Sequence, residues 1–292
     1  MNIRLIALRL LAYILPAKLF LSIRFHGNLG YWIDWNNPRT YNEKLQWLKL
    51  YNRRPEYTLL VDKVKVKEVV ADKIGEEYII PNLGVWKTAD EIDFDSLPNK
   101  FVIKCNHNSG LGMYICRDKA AMDVESVRKG LAKGLKENYT LLNKEWPYKK
   151  VPRRILAEVF LEESGCVVPN DYKVMCFDGK VKLIEVHSGR FTDNHTQDFY
   201  DREWNLTKIT QGSYGGFNTI PSPKPALLEE MIRLSEILAE GIPHVRVDWY
   251  IINNRLYFGE MTFFDGSGFE PYDRYEDELL LGSWITLPEK KC

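Results

Sequence analysis

The chain has 292 residues, 45% hydrophobic and 27% charged, which excludes a disordered polymer and allows one large or two to three small domains. Its 40 basic and 40 acidic residues cancel, so nothing in the total charge argues for nucleic acid as a partner. Five cysteines (105, 116, 166, 176 and 292) contain no Cys-x-x-Cys pair, which argues against a zinc site or a disulfide framework and for reduced thiols in a cytoplasmic protein.

Residues 1–25 are apolar and basic, with Arg4, Arg9, Lys18 and Arg24 and no acid before Asp34. Arg9, Pro16 and Lys18 break the run too often for a spanning helix, and no small-residue cleavage site follows it. Two readings stay open: a plain packed helix, or a basic amphipathic helix lying peripherally on the inner face of an anionic membrane. Residues 40–52 predict a helix, with Thr40 as N-cap and Glu43 completing a capping box. A second helix is expected over 61–74 and ends at Gly75. A short strand at 78–81 and a stronger one at 100–105 follow.

Lys104 ends that strand, and a small polar loop carrying Asn108, Ser109, Gly110 and Gly112 leads to a new strand at Met113. Glycines let backbone N–H groups approach an anion closely, and a nearby lysine adds charge. The arrangement suits a triphosphate; it also suits an ordinary hairpin loop. The Gly-x-x-x-x-Gly-Lys spacing of a Walker A loop is absent.

Residues 119–140 read as a charged surface helix, and 155–161 as a buried strand with one acid, Glu158. Gly165 and Pro169 mark a loop. Residues 171–186 read as two strands joined by the hairpin pair Asp178-Gly179. Asp171 and Lys173 then share one face of their strand. The stretch 189–222, rich in Gly, Thr, Asn and Ser, reads as a long, partly structured excursion holding His195. An amphipathic helix over 225–240 precedes two apolar runs around Asn253-Asn254, a tight-hairpin signal. The tail carries Gly-Ser-Gly at 266–268 and then a charged end.

In that last hairpin Asp248 sits on the first strand and Glu260 on the second, among Val, Trp, Tyr, Phe and Met. A carboxylate inside a buried strand is costly unless something positive meets it. Either the pair binds one or two hard divalent cations, or an edge hairpin turns its acids to solvent or to Arg246 and Arg255.

In order, these residues are Asp62-Lys63, Lys104 before the Gly loop, Glu158, Asp171, Arg246-x-Asp248 and Glu260-x-Thr262. Together with Tyr41-Asn42-Glu43-Lys44 and Asp198-Phe199-Tyr200-Asp201, the set resembles the ATP-grasp superfamily. The likeness runs from about residue 38 to 275 and is strongest to the branch associated with teichuronopeptide and capsular polysaccharide biosynthesis. It implies an α+β fold in which two α+β lobes sandwich ATP, preceded by a helical segment. The corresponding boundaries are 1–60 for that segment, 61–98 for an α/β part, 99–160 for the small lobe with the Gly loop, and 161–292 for the large lobe with the metal hairpin. By the resemblance, Lys63 and Lys104 hold phosphates beneath the 106–112 loop with Asn108, Ser109, Gly110 and Gly112. The segment Glu158 to Leu161, with Phe160, meets the adenine edge, and Asp171 bonds the ribose. Asp248, Glu260 and Thr262 hold Mg²⁺. Arg246 steadies an acyl phosphate, and Lys173 faces ATP phosphate or substrate. Thr262 stands where many relatives carry Asn, which bears on a second metal ion.

The implied activity is an ATP-dependent ligase that joins a carboxylate to an amine. A carboxylate is a poor electrophile until phosphoryl transfer gives it a leaving group, and a protein assists this chiefly by positioning and charge neutralisation. The expected substrates are an amino acid and a uronic acid of a surface polysaccharide; His187, Arg190 and His195 are candidates for the acceptor side, although a lone His is more often a hydrogen-bonded structural residue. The alternatives are a kinase acting on a sugar or polysaccharide precursor, or a glycosyltransferase with a nucleotide-sugar site.

Overall fold

The computed structural model describes residues 3–162, 170–189, 195–212 and 217–290. Pro16 splits the apolar N-terminal run into α1 (Ile3–Ile14) and α2 (Ala17–Leu29), because proline removes a donor that one continuous helix would need. Helix α3 (Tyr41–Tyr51) carries the expected capping box: Thr40 accepts from the Glu43 N–H while Glu43 accepts from the Thr40 N–H at 3.0 Å.

The helix expected over 61–74 is broken into α4 (Tyr57–Val61) and α5 (Lys65–Ile74). Asp62, in extended conformation, accepts a hydrogen bond from the Val64 N–H at 3.0 Å, a local bond that competes with helix. The strand expected at 78–81 begins later, as β1 (Asn82–Trp86), after a turn of 3-10 helix at Glu76–Tyr78. Then come β2 (Phe101–Cys105), β3 (Met113–Cys116), α6 (Val124–Leu135), α7 (Thr140–Asn143) and β4 (Ile155–Val159). The surface helix expected over 119–140 is therefore only α6, started by the Asp123 cap.

The remaining strands are β5 (Asp171–Phe177), β6 (Lys180–Ser188), β7 (Thr196–Asp201), β8 (His244–Ile252) and β9 (Arg255–Thr262), with α8 (Leu228–Leu238) before β8 and α9 (Tyr275–Ser283) near the end. Both hairpin signals form turns with two successive positive φ values: 48° and 76° at Asp178-Gly179, 49° and 57° at Asn253-Asn254. β7 lies within the excursion expected over 189–222, and the charged end holds α9. The expected loop at 165–169, Arg190, Cys166 and Cys292 lie outside the described residues. The other cysteines are buried and free.

These elements form two compact units. One comprises Met1–Arg54, Leu141–Glu145 and Glu163–Cys292; the other comprises Pro55–Thr140 and Trp146–Glu162. The smaller unit holds a four-stranded antiparallel sheet in the order β1-β4-β2-β3. Phe101, Ile103, Cys105, Ile155 and Ala157 pack its inner face against Val127 and Leu131 of α6. The larger unit holds a five-stranded antiparallel sheet in the order β7-β6-β5-β8-β9. Val174, Cys176, Val245, Val247 and Trp249 are buried on one face, where the Trp249 indole donates to Ser235 of α8 at 2.8 Å. Alternation then sends Asp171, Lys173, Glu185, His187, Arg246 and Asp248 to the opposite face.

Candidate active site

In the smaller unit, Asp62, Asn106 and Arg154 bind the base of the Gly loop to the chain around Lys63. Asn106 donates to Asp62 at 2.7 Å and to the Pro152 carbonyl at 2.9 Å, and the Arg154 guanidinium pairs with Asp62 at 3.0 Å. The Lys63 N–H donates to the Asn106 carbonyl at 3.3 Å, and the Lys63 ammonium to the Asn108 carbonyl at 3.1 Å. The break between α4 and α5 thus delivers Lys63 to the loop.

Lys104 stands on the outer face of β2, and its ammonium meets Glu158 at 2.5 Å. Glu158 also receives Lys67 of α5 at 2.5 Å, and Lys67 donates to the Ile80 carbonyl at 2.7 Å and to Asn82 at 2.6 Å. Burial works against ionisation of Glu158, but Lys104 and Lys67 hold its carboxyl below the usual range. Two cations on one carboxylate leave local positive charge. Lys67 is missing from the sequence reading because Val-Lys-Val-Lys looks like a solvated helix face.

Glu158 lies opposite Asn82 on one side and Val102 on the other, and its side chain is the counter-ion of two lysines. Phe160 and Leu161 lie just beyond the strand, with the Phe160 ring 5.5 Å from the Arg117 guanidinium. Asn108 turns its amide inward, to Glu137 at 2.7 Å and the Gly134 carbonyl at 3.3 Å. Gly112, at φ 73°, is closely packed: a Cβ there would meet Cys105 Sγ at 2.8 Å and Gly134 Cα at 2.9 Å. Ser109 and Gly110 are exposed at the loop tip.

In the larger unit the polar sheet face is centred on Arg246. Its guanidinium donates to both carboxylate oxygens of Asp248, each at 2.7 Å, and to Asp265. The same Nη2 lies 3.6 Å from Glu260 and 3.4 Å from the Thr262 hydroxyl, which donates to Glu260 at 3.3 Å. The β8–β9 register shifts between Val247 and Trp249, so Gly259 and Glu260 together oppose Asp248. The bulge brings both carboxylates to one nitrogen, so the two acids converge; Asp248 is buried and the Glu260 side chain is 34% exposed.

Across the next strands, Lys173 pairs in register with Asp248 on one side and Glu185 on the other, and lies 3.8 Å from Asp171. Glu185 accepts from His187 Nε2 at 2.6 Å and from Gln197 at 2.7 Å. With Glu185 ionised, His187 Nδ1 accepts from His195 Nε2 at 2.8 Å, giving a chain from His195 through His187 to Glu185. Against its burial, the His187 hydrogen bond and the charges of Lys173 and Arg246 hold the Glu185 carboxyl down to about 2.

Asp171, Glu185, Asp248, Glu260 and Asp265 outnumber Arg246 and Lys173. Burial accordingly pushes the Asp248 carboxyl up to about 7 despite the Arg246 pair. Excess buried negative charge on an all-oxygen donor set suits a hard divalent cation, which takes one or two carboxylates together with phosphate and water. Among the described residues no three of His, Cys, Asp or Glu are grouped to hold a metal ion, and Arg246 stands among the acids. Asp248, Glu260 and the Thr262 hydroxyl are the groups that fit Mg²⁺. Contrary to expectation, the chain carries one Asp-x-Asp triplet, Asp93-Phe94-Asp95, in which Asp93 accepts from the Asp95 N–H at 3.1 Å and Phe94 is core.

The family model for TupA-like ATPgrasp matches residues 43–286, a span that takes in every group named above. The chain belongs to the TupA-like ATP-grasp family. No curated protein sequence matches it. Among solved structures, a D-alanine–D-alanine ligase from Bacillus anthracis complexed with ATP is 16% identical at a TM-score of 0.41, covering 70% of this chain and 54% of its own. A D-alanine–D-alanine ligase from Helicobacter pylori is 14% identical at 0.44, covering 84% and 69%. The ATP-grasp ligase PsnB complexed with a minimal precursor is 10% identical at 0.39, covering 76% and 60%. The TupA-like chain thus spans about half the length of the first of these. The membership rests on the family model.

Proposed function

We propose that the protein is an ATP-dependent carboxylate–amine ligase that forms an amide through an acyl phosphate, joining an amino acid to a uronic acid of a surface polysaccharide. The observation that carries this reading is the convergence of Asp248 and Glu260 on one Arg246 nitrogen, beside the Thr262 hydroxyl. Bound there, Mg²⁺ would neutralise developing phosphate charge.

The protein's own groups have separable tasks. Lys63 and Lys104 bind phosphate oxygens, with Lys67 and Glu158 fixing where Lys104 stands. Arg246, pinned by Asp248 and Asp265, offers a positive charge where an acyl phosphate oxygen is released. Lys173 orients phosphate or the substrate carboxylate. As the amine attacks the acyl carbon, its proton leaves toward His195, and the His187–Glu185 pair stabilises the imidazolium that results. Phosphate departs as the C–N bond forms.

The test is ADP release measured across amino acids paired with uronic-acid sugars. The ligase reading predicts ADP and an amide product only when carboxylate and amine are both present. A phosphorylated product formed without any amine would identify a kinase instead. No turnover with any pair, by protein shown to bind Mg-ATP, would contradict the reading.

A further inference from the structure

The N-terminal helices leave a surface that the proposed chemistry does not use. Helix α2 docks through Phe20, Leu21 and Phe25, all buried, while Arg24 donates to the Leu142 carbonyl at 2.5 Å and to Asn143 at 2.7 Å. Trp35 donates to Ser22 at 2.8 Å, and Lys144 to the Ala12 carbonyl at 2.7 Å. So anchored, the helices turn other apolar side chains outward. Leu10, Tyr13 and Ile14 are exposed along one stripe of α1, with Tyr13 at 70% and Ile14 at 75%. Leu19 is exposed on α2, and Trp32, stacked on His26 at 4.3 Å, is exposed beyond it.

We infer that this surface docks on an anionic lipid bilayer, with α1 lying in the headgroup region. Charge supports that occupant: Arg9 and Lys18 are exposed among these apolar groups, and no acidic residue precedes Asp34. Composition supports it as well. Tyr13 and Trp32 are amphipathic rings of the kind that settle at a membrane–water boundary, and the arginine and lysine stems reach past apolar surface to phosphate. Exposed Leu5 and Leu11 add apolar area beyond the stripe. No described helix is long and apolar enough to cross a membrane, and α1 has 12 residues, so it lies along the bilayer.

Flotation of the full chain with vesicles tests the inference. The wild type is expected to float with vesicles of equal parts phosphatidylcholine and phosphatidylglycerol, and far less with phosphatidylcholine alone. The double variant Tyr13→Ser, Ile14→Ser should lose binding at least tenfold, and Arg9→Glu, Lys18→Glu should lose it selectively for the anionic vesicles. Each side chain is exposed, and unchanged circular dichroism and thermal midpoint confirm that each variant folds. Wild type that fails to float with anionic vesicles overturns the inference. So does concentration-dependent self-association abolished by the Tyr13/Ile14 variant without vesicle binding, which would show that a second copy covers the surface.

Discussion

Glu158 is held between Lys67 and Lys104, each ion pair at 2.5 Å. Removing one partner of a buried ionic group leaves uncompensated charge, so Glu158→Gln should destabilise the protein by about 3 kcal/mol. Urea unfolding would measure it, and an unchanged midpoint would mean that the lysines find other partners. His244 makes a second residue-scale prediction. Tyr41 donates to its Nε2 at 2.9 Å and its Nδ1 donates to the Cys176 carbonyl at 3.0 Å, and burial pushes its proton affinity down from 6.5 to about 3. From pH 6.5 downward the unfolded chain binds at this site a proton that the folded chain refuses, so His244 by itself lowers stability with falling pH, by up to about 1.4 kcal/mol per unit, while Asp248, raised from 3.8 to about 7, acts in the opposite direction between those values. Glu185 adds a further loss only below its ordinary 4.5, since it is held at about 2. His244→Gln should remove the His244 contribution, making stability fall less (or rise more) on acidification between pH 6.5 and 3; an unchanged slope there would show that His244 does not set it.

At the scale of elements, the Gly loop is closed against α6 by a glycine–glycine contact. A Cβ on Gly134 would meet Gly112 Cα at 2.7 Å, and Gly112 itself sits at φ 73°. Gly112→Ala therefore combines backbone strain with a clash, and should cost about 2 kcal/mol or more in thermal unfolding. Alanine tolerated there without loss would show that loop and helix separate easily. This packing also explains what could be read in advance. The Asn253-Asn254 and Asp178-Gly179 turns, the Thr40–Glu43 cap and the amphipathic α8 depend on neighbours in sequence, and they were legible. The α4–α5 break, the Gly112–Gly134 contact and the place of Lys67 depend on residues brought together by folding. Lys67 lies 91 positions from Glu158, and a lysine in an alternating run carries no mark of burial. The β8–β9 bulge was equally hidden, because Gly259 inside a strand fits many roles.

At the scale of the whole molecule, the candidate residues of the two units differ in type. Lys63, Lys67, Lys104 and the Gly loop belong to the smaller unit; Arg246, Lys173 and the carboxylate-rich sheet face belong to the larger one. The acids Asp248 and Glu260 stood out from sequence because they interrupt apolar strands, whereas Glu185 and Asp265 did not, since their partners are set by sheet register and by a tail conformation. That tail, with φ of 50°, 54° and 60° at residues 266–268, holds Asp265 where Arg246 reaches it, and Lys49 donates to the Ser267 carbonyl at 2.6 Å.

The central claim is that Asp248 and Glu260 together hold the cation that accompanies a nucleotide. Calorimetric titration of an ATP analogue, with and without Mg²⁺, measures it directly in wild type, Asp248→Asn and Glu260→Gln. The account predicts that Mg²⁺ strengthens binding to the wild type and that each substitution removes most of that gain, at least tenfold in affinity, while metal-free binding changes little. Mg²⁺-dependent binding of wild-type strength in both variants would contradict it.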